Sequence, residues 1–383
     1  MIHRRPMLLA GALLAGLPAA AAERLRVASF DVGMSRDGPG LLVHELEGAP
    51  EPSTLAGATV IRAVRPDVLL VSGFDHDLAG RALDAFRALL AGGPDGIDYP
   101  HAFAAPVNAG VPSGLDLDGD GRTMGRGDGF GWGRFPGNGG MAVLSRLPIE
   151  ADAARSFTRM PWSALPGAEL PRRADGGPFP DAAGAAALRL SSRAHWQVPV
   201  ILPDGGRLHL LAANPTPPLF DGAEAFNRRR NRDEVRFWSV YLDGAALTDD
   251  AGHTAGSPDG ALVVLGNLNL DPLDGAGEPA AVAALLGHPR LQDPRPASAG
   301  GAAAAGTGGN GGHDGDPALD TADWRDDDGP GNLRVDYVLP SADLTVAGEG
   351  VFWPAGGARL AEAALAASDH RLVWVDVEVP DGP

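Results

Sequence analysis

Short apolar runs that stop where polar residues begin constrain this chain more than any other feature. Asp67-Val-Leu-Leu-Val71, Gly140-Met-Ala-Val-Leu-Ser145, Leu208-His-Leu-Leu-Ala-Ala213 and Ala261-Leu-Val-Val-Leu265 each read as a core strand. Short, largely aliphatic runs bounded by polar residues are the pattern of buried strands. Arg24-Leu-Arg-Val-Ala-Ser-Phe30 alternates polar and apolar residues as a first strand does, and Leu372-Val-Trp-Val-Asp-Val-Glu-Val379 is strand-like at the far end. A helical segment ends at Val60-Ile-Arg-Ala-Val64, where Pro66 stops it, and residues 83–90 and 227–241 also read as helices. In the last of these Arg232 and Arg236 are one turn apart, and Glu234 can pair with Arg230. Alternating strands and helices give an α/β or α+β fold.

The first 22 residues read as an export signal. His3-Arg4-Arg5 supplies a positive start, Met7 to Leu17 an apolar stretch, and Ala20-Ala21-Ala22 a small-residue cleavage site before Glu23. The expected product, residues 23–383, is a single exported domain, periplasmic or extracellular. No later run approaches the roughly 20 apolar residues that a membrane-spanning helix needs. The absence of cysteine leaves stability to a hydrophobic core. A net charge of −18 repels polyanions at long range and argues against non-specific nucleic-acid binding, although a local basic pocket can still hold one phosphate. With 54 Gly and 34 Pro, long connections are expected. Two stretches are insert-like: residues 111–138, rich in Gly and Asp, and residues 297–315, a Gly/Ala tract expected as a mobile surface loop. Strands resume after each, so neither is a domain boundary.

Polar residues with chemical potential cluster at the strand ends. Ser368-Asp-His-Arg371 runs into the last strand, Gly266-Asn-Leu-Asn-Leu-Asp-Pro272 follows an apolar run, and Val335-Asp-Tyr-Val-Leu-Pro340 lies between. An adjacent carboxylate and imidazole at the mouth of a buried strand suit metal-assisted phosphate chemistry. These segments, together with Arg65-Pro-Asp-Val-Leu-Leu-Val71, Ala105-Pro-Val-Asn-Ala-Gly-Val-Pro-Ser-Gly-Leu-Asp116, Gly140-Met-Ala-Val-Leu-Ser145, Pro215-Thr-Pro-Pro218, Asn332-Leu-Arg-Val-Asp-Tyr-Val338 and Val351-Phe-Trp-Pro354, resemble the endonuclease/exonuclease/phosphatase superfamily in its exported bacterial members. The resemblance covers nearly all of residues 23–383. It implies a four-layer α/β/β/α sandwich of two mixed sheets flanked by helices, with the site at one end of the sheets. It also implies hydrolysis of a phosphate mono- or diester with a divalent metal, usually Mg²⁺.

Position by position, Asn269, Asp336, Asp369 and His370 match what the resemblance implies, with Asp336 holding His370. Four positions depart from it. The expected Asn ending the first strand is Asp31, the metal-binding Glu after the second strand is Gly73, the His before Pro-Thr-Pro-Pro is Asn214, and the water-orienting Asp is Asn267. Gly73 removes a charged oxygen ligand, and Mg²⁺ is held chiefly through such oxygens. Asn267 cannot take a proton, and Asn214 cannot titrate near neutral pH. Loss of one acid or base group typically lowers a rate by about 10²–10⁴, so hydrolysis by the family route is expected to be impaired. Asp31 and Asp369 are the carboxylates left to hold a metal; Asp75 and Asp77 lie close in sequence.

A second cation position is expected in Asp116-Leu-Asp-Gly-Asp-Gly121, where Asp116, Asp118 and Asp120 alternate with a Gly at the turn, as in a calcium loop. The twelfth position is Gly127 rather than Glu, with Asp128 next. Asn267 and Asn269 can instead shape the turn before Asp271-Pro272, and Asn214 can cap the Pro-Thr-Pro-Pro turn. Arg228-Arg229-Arg230 reads as a solvated helix face, and His76, His101 and His313 as solvent or loop residues. Trp132, Trp196, Trp238, Trp324 and Trp353 read as packing anchors. Three functions remain open: an impaired phosphoesterase, a non-catalytic binder of a small phosphorylated ligand on the same scaffold, and a structural exported protein.

Overall fold

The structure is a computed structural model that describes residues 23–324 and 329–379. The expected export signal, residues 1–22, lies outside the described residues. Along the chain come β1 (Glu23–Met34), α1 (Leu41–Glu47), α2 (Pro52–Val64), β2 (Val68–Phe74), α3 (Arg81–Ala91), β3 (His101–Phe103) and β4 (Gly140–Ser145). Next are β5 (Arg155–Ser156), α4 (Ala182–Ala187), β6 (His195–Ile201), β7 (Arg207–Ala213), α5 (Phe226–Leu242), β8 (Leu247–Thr248), β9 (Thr254–Ala255) and β10 (Leu262–Asn267). The last part holds α6 (Pro279–Leu286), α7 (Ala299–Ala304), β11 (Ala322–Asp323), β12 (Asn332–Leu333), β13 (Asp336–Pro340), β14 (Thr345–Val351), α8 (Ala361–Ala367) and β15 (Val373–Val379).

Eleven of these strands form two mixed sheets, in the orders β14-β15-β1-β2-β4-β3 and β13-β10-β7-β6-β5. Each has one parallel pair at its centre, β1 with β2 and β7 with β10, flanked by antiparallel neighbours. Period-two alternation sorts each strand between two environments. Val27, Val68, Leu70, Val143, Val198, Leu210, Val263, Leu265, Val338 and Val375 meet in one cluster between the sheets. Ala28, Phe30, Leu69, Val71 and Leu144 face outward against α1, α2, α3 and α8. On the other side Leu211, Val264, Tyr337 and Leu339 pack under α5 and α6. The result is a four-layer α/β/β/α sandwich, as the resemblance implies. Among the described residues no helix is long and apolar enough to cross a membrane.

Alternation also aims the polar residues. Val263 and Leu265 point between the sheets, so two residues on Asn267 does too; Val338 points inward, and so does Asp336 two residues before it. Val27 sets the same phase in β1 and brings Asp31 to the inner face at the strand end. The site is therefore assembled where the inner faces of both sheets run out of apolar side chains.

Two expectations need correction. The Gly/Ala tract within 297–315 contains α7, capped by the Ser298 hydroxyl, which accepts from Gly301 N at 3.0 Å. A Cβ at Gly300 would fall on the Trp353 ring, and one at Gly301 on the Pro317 carbonyl; small residues let this helix seat against its neighbours. On α5, Arg230 is not solvated: it is 4% exposed, and its guanidinium donates to the carbonyls of Leu190, Phe130, Arg189 and Ser191.

Candidate active site

Asp31, Asn267, Asp336 and His370 come together at this end of the sandwich. Asn267 and Asp336 are register partners on β10 and β13. Asn267 Nδ2 donates to Asp31 Oδ2 at 3.2 Å, a bond that crosses from one sheet to the other. His370 Nδ1 and Asp336 Oδ2 are 2.9 Å apart, with Asp336 fully buried. The Trp324 ring stands perpendicular to the imidazole at 5.3 Å between centroids. Burial pulls the His370 pKa down, but the charge and hydrogen bond of Asp336, with Asp31 and Asp369 adding to them, outweigh it and raise it to about 9. His370 is therefore an imidazolium at neutral pH. Asp31, Ser368, Asp369 and His370 line one open groove of about 430 Å³.

Thr321, which the sequence reading missed, seats the acid of this pair. Its hydroxyl accepts from the Val335 and Asp336 N–H groups and donates to Asp336 Oδ2, each at 2.9 Å. Bonds from Asp323 N to Asp369 O (2.8 Å) and from Arg371 N to Thr321 O (2.7 Å) hold the two segments side by side. Nothing local in Leu319-Asp-Thr-Ala-Asp323 marks this role, because the partners are remote in sequence.

Gly73 explains why Asp31 stands where it does. The β1–β2 and β2–β4 ladders both shift register here, and Gly73 has φ +63°. A Cβ built on it would fall on Asp31 Oδ1. The carboxylate of residue 31 thus occupies the volume that a side chain at residue 73 would need. Beside it, acid and amide have exchanged places relative to the expected pattern: where an Asn on β1 and an Asp on β10 are implied, the pair is Asp31 and Asn267.

The other expected residues divide. Asn214 follows β7, whose Ala212 lies opposite Leu265 of the parallel β10, so it leaves the sheet at the same end as Asn267. Asn269 is a turn residue: its Nδ2 donates to Pro215 O at 2.9 Å and its N–H to Asn267 Oδ1 at 2.9 Å, with φ +52°. Asp75 and Asp77 are structural, the first accepting from the Arg36 and Gly139 N–H groups and the second from the N–H groups that open α3. Asp116, Asp118 and Asp120 do not line the groove; their oxygens lie within 4.8 Å of one another in a separate loop. Asp128 turns inward to the N–H groups of Leu117 and Gly125.

Two charged residues not singled out for these roles frame the site from the second sheet. Glu234 is fully buried; the Arg230 charge acts on it, but its hydrogen bonds go elsewhere. It accepts from Ser192 N, Ser192 Oγ and Thr216 N, tying the β6 entry to the turn after Asn214. Arg193, just before β6, has a single side-chain hydrogen bond among the described residues, from Nε to Gly139 O at 2.9 Å. Burial lowers its pKa, against the opposing charges of Glu234 and Asp31.

The sequence profile of the Endonuclease/Exonuclease/phosphatase family matches residues 58–370, which span both sheets and end on His370. The chain belongs to the endonuclease/exonuclease/phosphatase family. An endonuclease/exonuclease/phosphatase from Beutenbergia cavernae DSM 12333 is similar in fold, with TM-score 0.51 and 18% identity over 93% of this chain and 72% of that one. A family protein from Leptotrichia buccalis C-1013-b gives TM-score 0.48 and 14% identity over 93% and 100%. Sphingomyelinase C from Streptomyces griseocarneus gives 0.45 and 16% over 92% and 99%. No curated protein matches the sequence.

Members of this family are generally dependent on a divalent metal. The residues present do not fit the family's cation seat. Position 73 has no side chain, the Asp31 oxygens face Asn267 Nδ2 and Gly33 N, and Asp369 is exposed. Among the described residues, the one place where three carboxylate or imidazole donors converge is the loop of Asp116, Asp118 and Asp120.

Proposed function

We propose that this chain is an exported endonuclease/exonuclease/phosphatase-family protein whose groove binds a phosphorylated ligand but hydrolyses it poorly. The observation that carries the reading is the Asp31–Gly73–Asn267 arrangement: one carboxylate, set on β1, stands where the family pattern implies two. Asn267 on β10 cannot accept a proton from water, and this donor set does not fit a divalent cation. What the groove retains is a recognition function. The His370 imidazolium, held by Asp336 and Thr321, offers Nε2–H to a phosphate oxygen, a charge-assisted bond of the stronger kind. Asn267, buried behind the groove, donates to the Asp31 carboxylate that lines it.

Calorimetric titration with inorganic phosphate at pH 7 tests this reading. The protein is expected to bind phosphate, and His370→Ala to weaken that binding at least about tenfold, since a hydrogen bond to a charged group contributes about 1.5–3 kcal/mol. Absence of phosphate binding, or binding indifferent to His370, would overturn it. Export is part of the proposal and rests on the basic start, apolar stretch and small-residue site of residues 1–22. A mature N-terminus at Glu23 in the exported fraction is the expected result. The acidic loop is proposed as a Ca²⁺ position on its three close carboxylates. Titration with Ca²⁺ is expected to show binding that Asp118→Asn abolishes and Asp31→Asn leaves unchanged.

A further inference from the structure

A second cavity opens past the end of β7. Beyond Asn214 the chain enters the Pro-Thr-Pro-Pro turn, and Thr216 and Pro217 of that turn form one wall of this cavity, about 670 Å³ in volume. That size suits a small ligand. Four aromatic side chains line it, Trp132, Phe179, Phe220 and Phe226, with Leu117 buried behind them. Trp132 is 52% exposed and Phe220 88% exposed. Phe179 and Phe226 stand edge to face, 6.2 Å between centroids.

Two arginines reach this cavity, and they differ in what they have left to offer. Arg230 spends its guanidinium on four backbone carbonyls. Among the described residues Arg193 donates only through Nε, to Gly139 O, which leaves both terminal nitrogens for a ligand. Arg193 is held at Gly139 O, next to the Gly140 that pairs with Phe74 of β2, and β2 pairs with β1 at Asp31, so Arg193 stands at the same end of the sandwich as Asp31 while lining the aromatic cavity. Two acids, Asp118 and Glu224, also line the cavity and disfavour a phosphate elsewhere along it. The guanidinium fork presents paired N–H donors, which match two oxygens of one phosphate.

We infer that the ligand of the proposed phosphate site is an ester of phosphate with a flat, ring-sized apolar group, Arg193 binding the phosphate from the side opposite His370 and the aromatic cavity taking the ring. The inference rests on the phosphate-binding reading above and adds the chemical class of the esterifying group. Arg193 acts as a binding residue, and the exposed aromatic rings supply stacking surface that a bare phosphate cannot use.

Titration of the intact protein at pH 7 with three probes separates the two ideas: inorganic phosphate, 1-naphthyl phosphate and 1-naphthol. Naphthyl phosphate is expected to bind at least about tenfold more tightly than inorganic phosphate, from the apolar area it buries. Trp132→Ala and Phe220→Ala alter exposed rings and are expected to remove most of that gain while phosphate affinity stays unchanged. Arg193→Gln is expected to weaken both phosphates about tenfold, Arg193→Lys by less, and neither to affect naphthol. Equal affinity for phosphate and naphthyl phosphate, or a gain that survives both ring variants, overturns the inference and leaves the phosphate site standing. Naphthyl phosphate binding that is indifferent to Arg193 also overturns it. Failure of inorganic phosphate to bind overturns the underlying reading instead.

Discussion

Gly73→Ala probes the shared volume between β1 and β2 directly. Residue 73 has φ +63°, and an L-residue in the left-handed region costs about 1–2 kcal/mol. The added Cβ would also fall on Asp31 Oδ1, and such overpacking typically costs about 1–3 kcal/mol. Together these predict a destabilisation of roughly 2–5 kcal/mol, large against a native stability of about 5–15 kcal/mol. In an Asp31→Ala background the overlap disappears and only the backbone strain remains. The double-mutant cycle should therefore show a coupling of about 1–3 kcal/mol between the two positions. Urea unfolding at pH 7 measures it, provided the slope with denaturant stays the same across the four proteins. If Gly73→Ala costs the same with and without the Asp31 carboxylate, the two residues do not compete for one space and the reasoning is refuted.

Three other outcomes follow from the same geometry. Asp320 is 8% exposed, and burial, with Asp271, Asp274, Asp316 and Asp323 adding, raises its pKa to about 7. A raised carboxyl pKa means that the folded state holds the proton more tightly, so stability falls as pH rises from about 4 to 7 and then levels. The shift corresponds to roughly 4 kcal/mol, and Asp320→Asn should stabilise the protein at pH 8 while changing little at pH 3. His370, raised to about 9, contributes stability that is fully present below about pH 6.5 and lost as pH rises through 9. The stability gap between the unaltered protein and His370→Gln should shrink by roughly 3 kcal/mol between pH 6 and pH 10. Thr321→Val strips an acceptor from two buried N–H groups and a donor from Asp336, and should cost about 2–4 kcal/mol in chemical denaturation.

Much of the fold was legible because its signal is local. The apolar runs that became β2, β4, β7 and β10 announce themselves by length and composition, and the polar residues after β7 and β10 mark the site end of their sheet, whereas β4, antiparallel to β2, ends on Ser145 at the opposite end. Which strands pair is not local: β15 lies beside β1 although nearly the whole chain separates them, and nothing in either segment names the other. The departures at Asp31, Gly73 and Asn267 could be read singly. Their coupling could not, because it depends on a register shift that brings residue 73 onto residue 31. By spacing alone Glu234 pairs with Arg230, four residues before it on α5, a sound rule for an exposed face. On this helix Asn231, Asp233 and Glu234 are all fully buried, so the acid reaches across to Ser192 and Thr216 instead. Arg193 carried no signal, since Ser-Ser-Arg-Ala reads as an ordinary loop until the Gly139 carbonyl and the aromatic cavity appear on either side of it.

The central claim is that this scaffold keeps a phosphate-recognising groove while lacking the residues that turn the phosphate over. Hydrolysis of bis(p-nitrophenyl) phosphate with Mg²⁺, Mn²⁺ or Ca²⁺ tests it most directly, with His370→Ala and the exchange Asp31→Asn/Asn267→Asp run alongside. The account predicts that the unaltered protein stays at the background rate and that the exchange raises it only when Gly73→Glu is added, which returns the carboxylate that position 73 lacks. Brisk turnover by the unaltered protein, abolished by His370→Ala, would contradict the account.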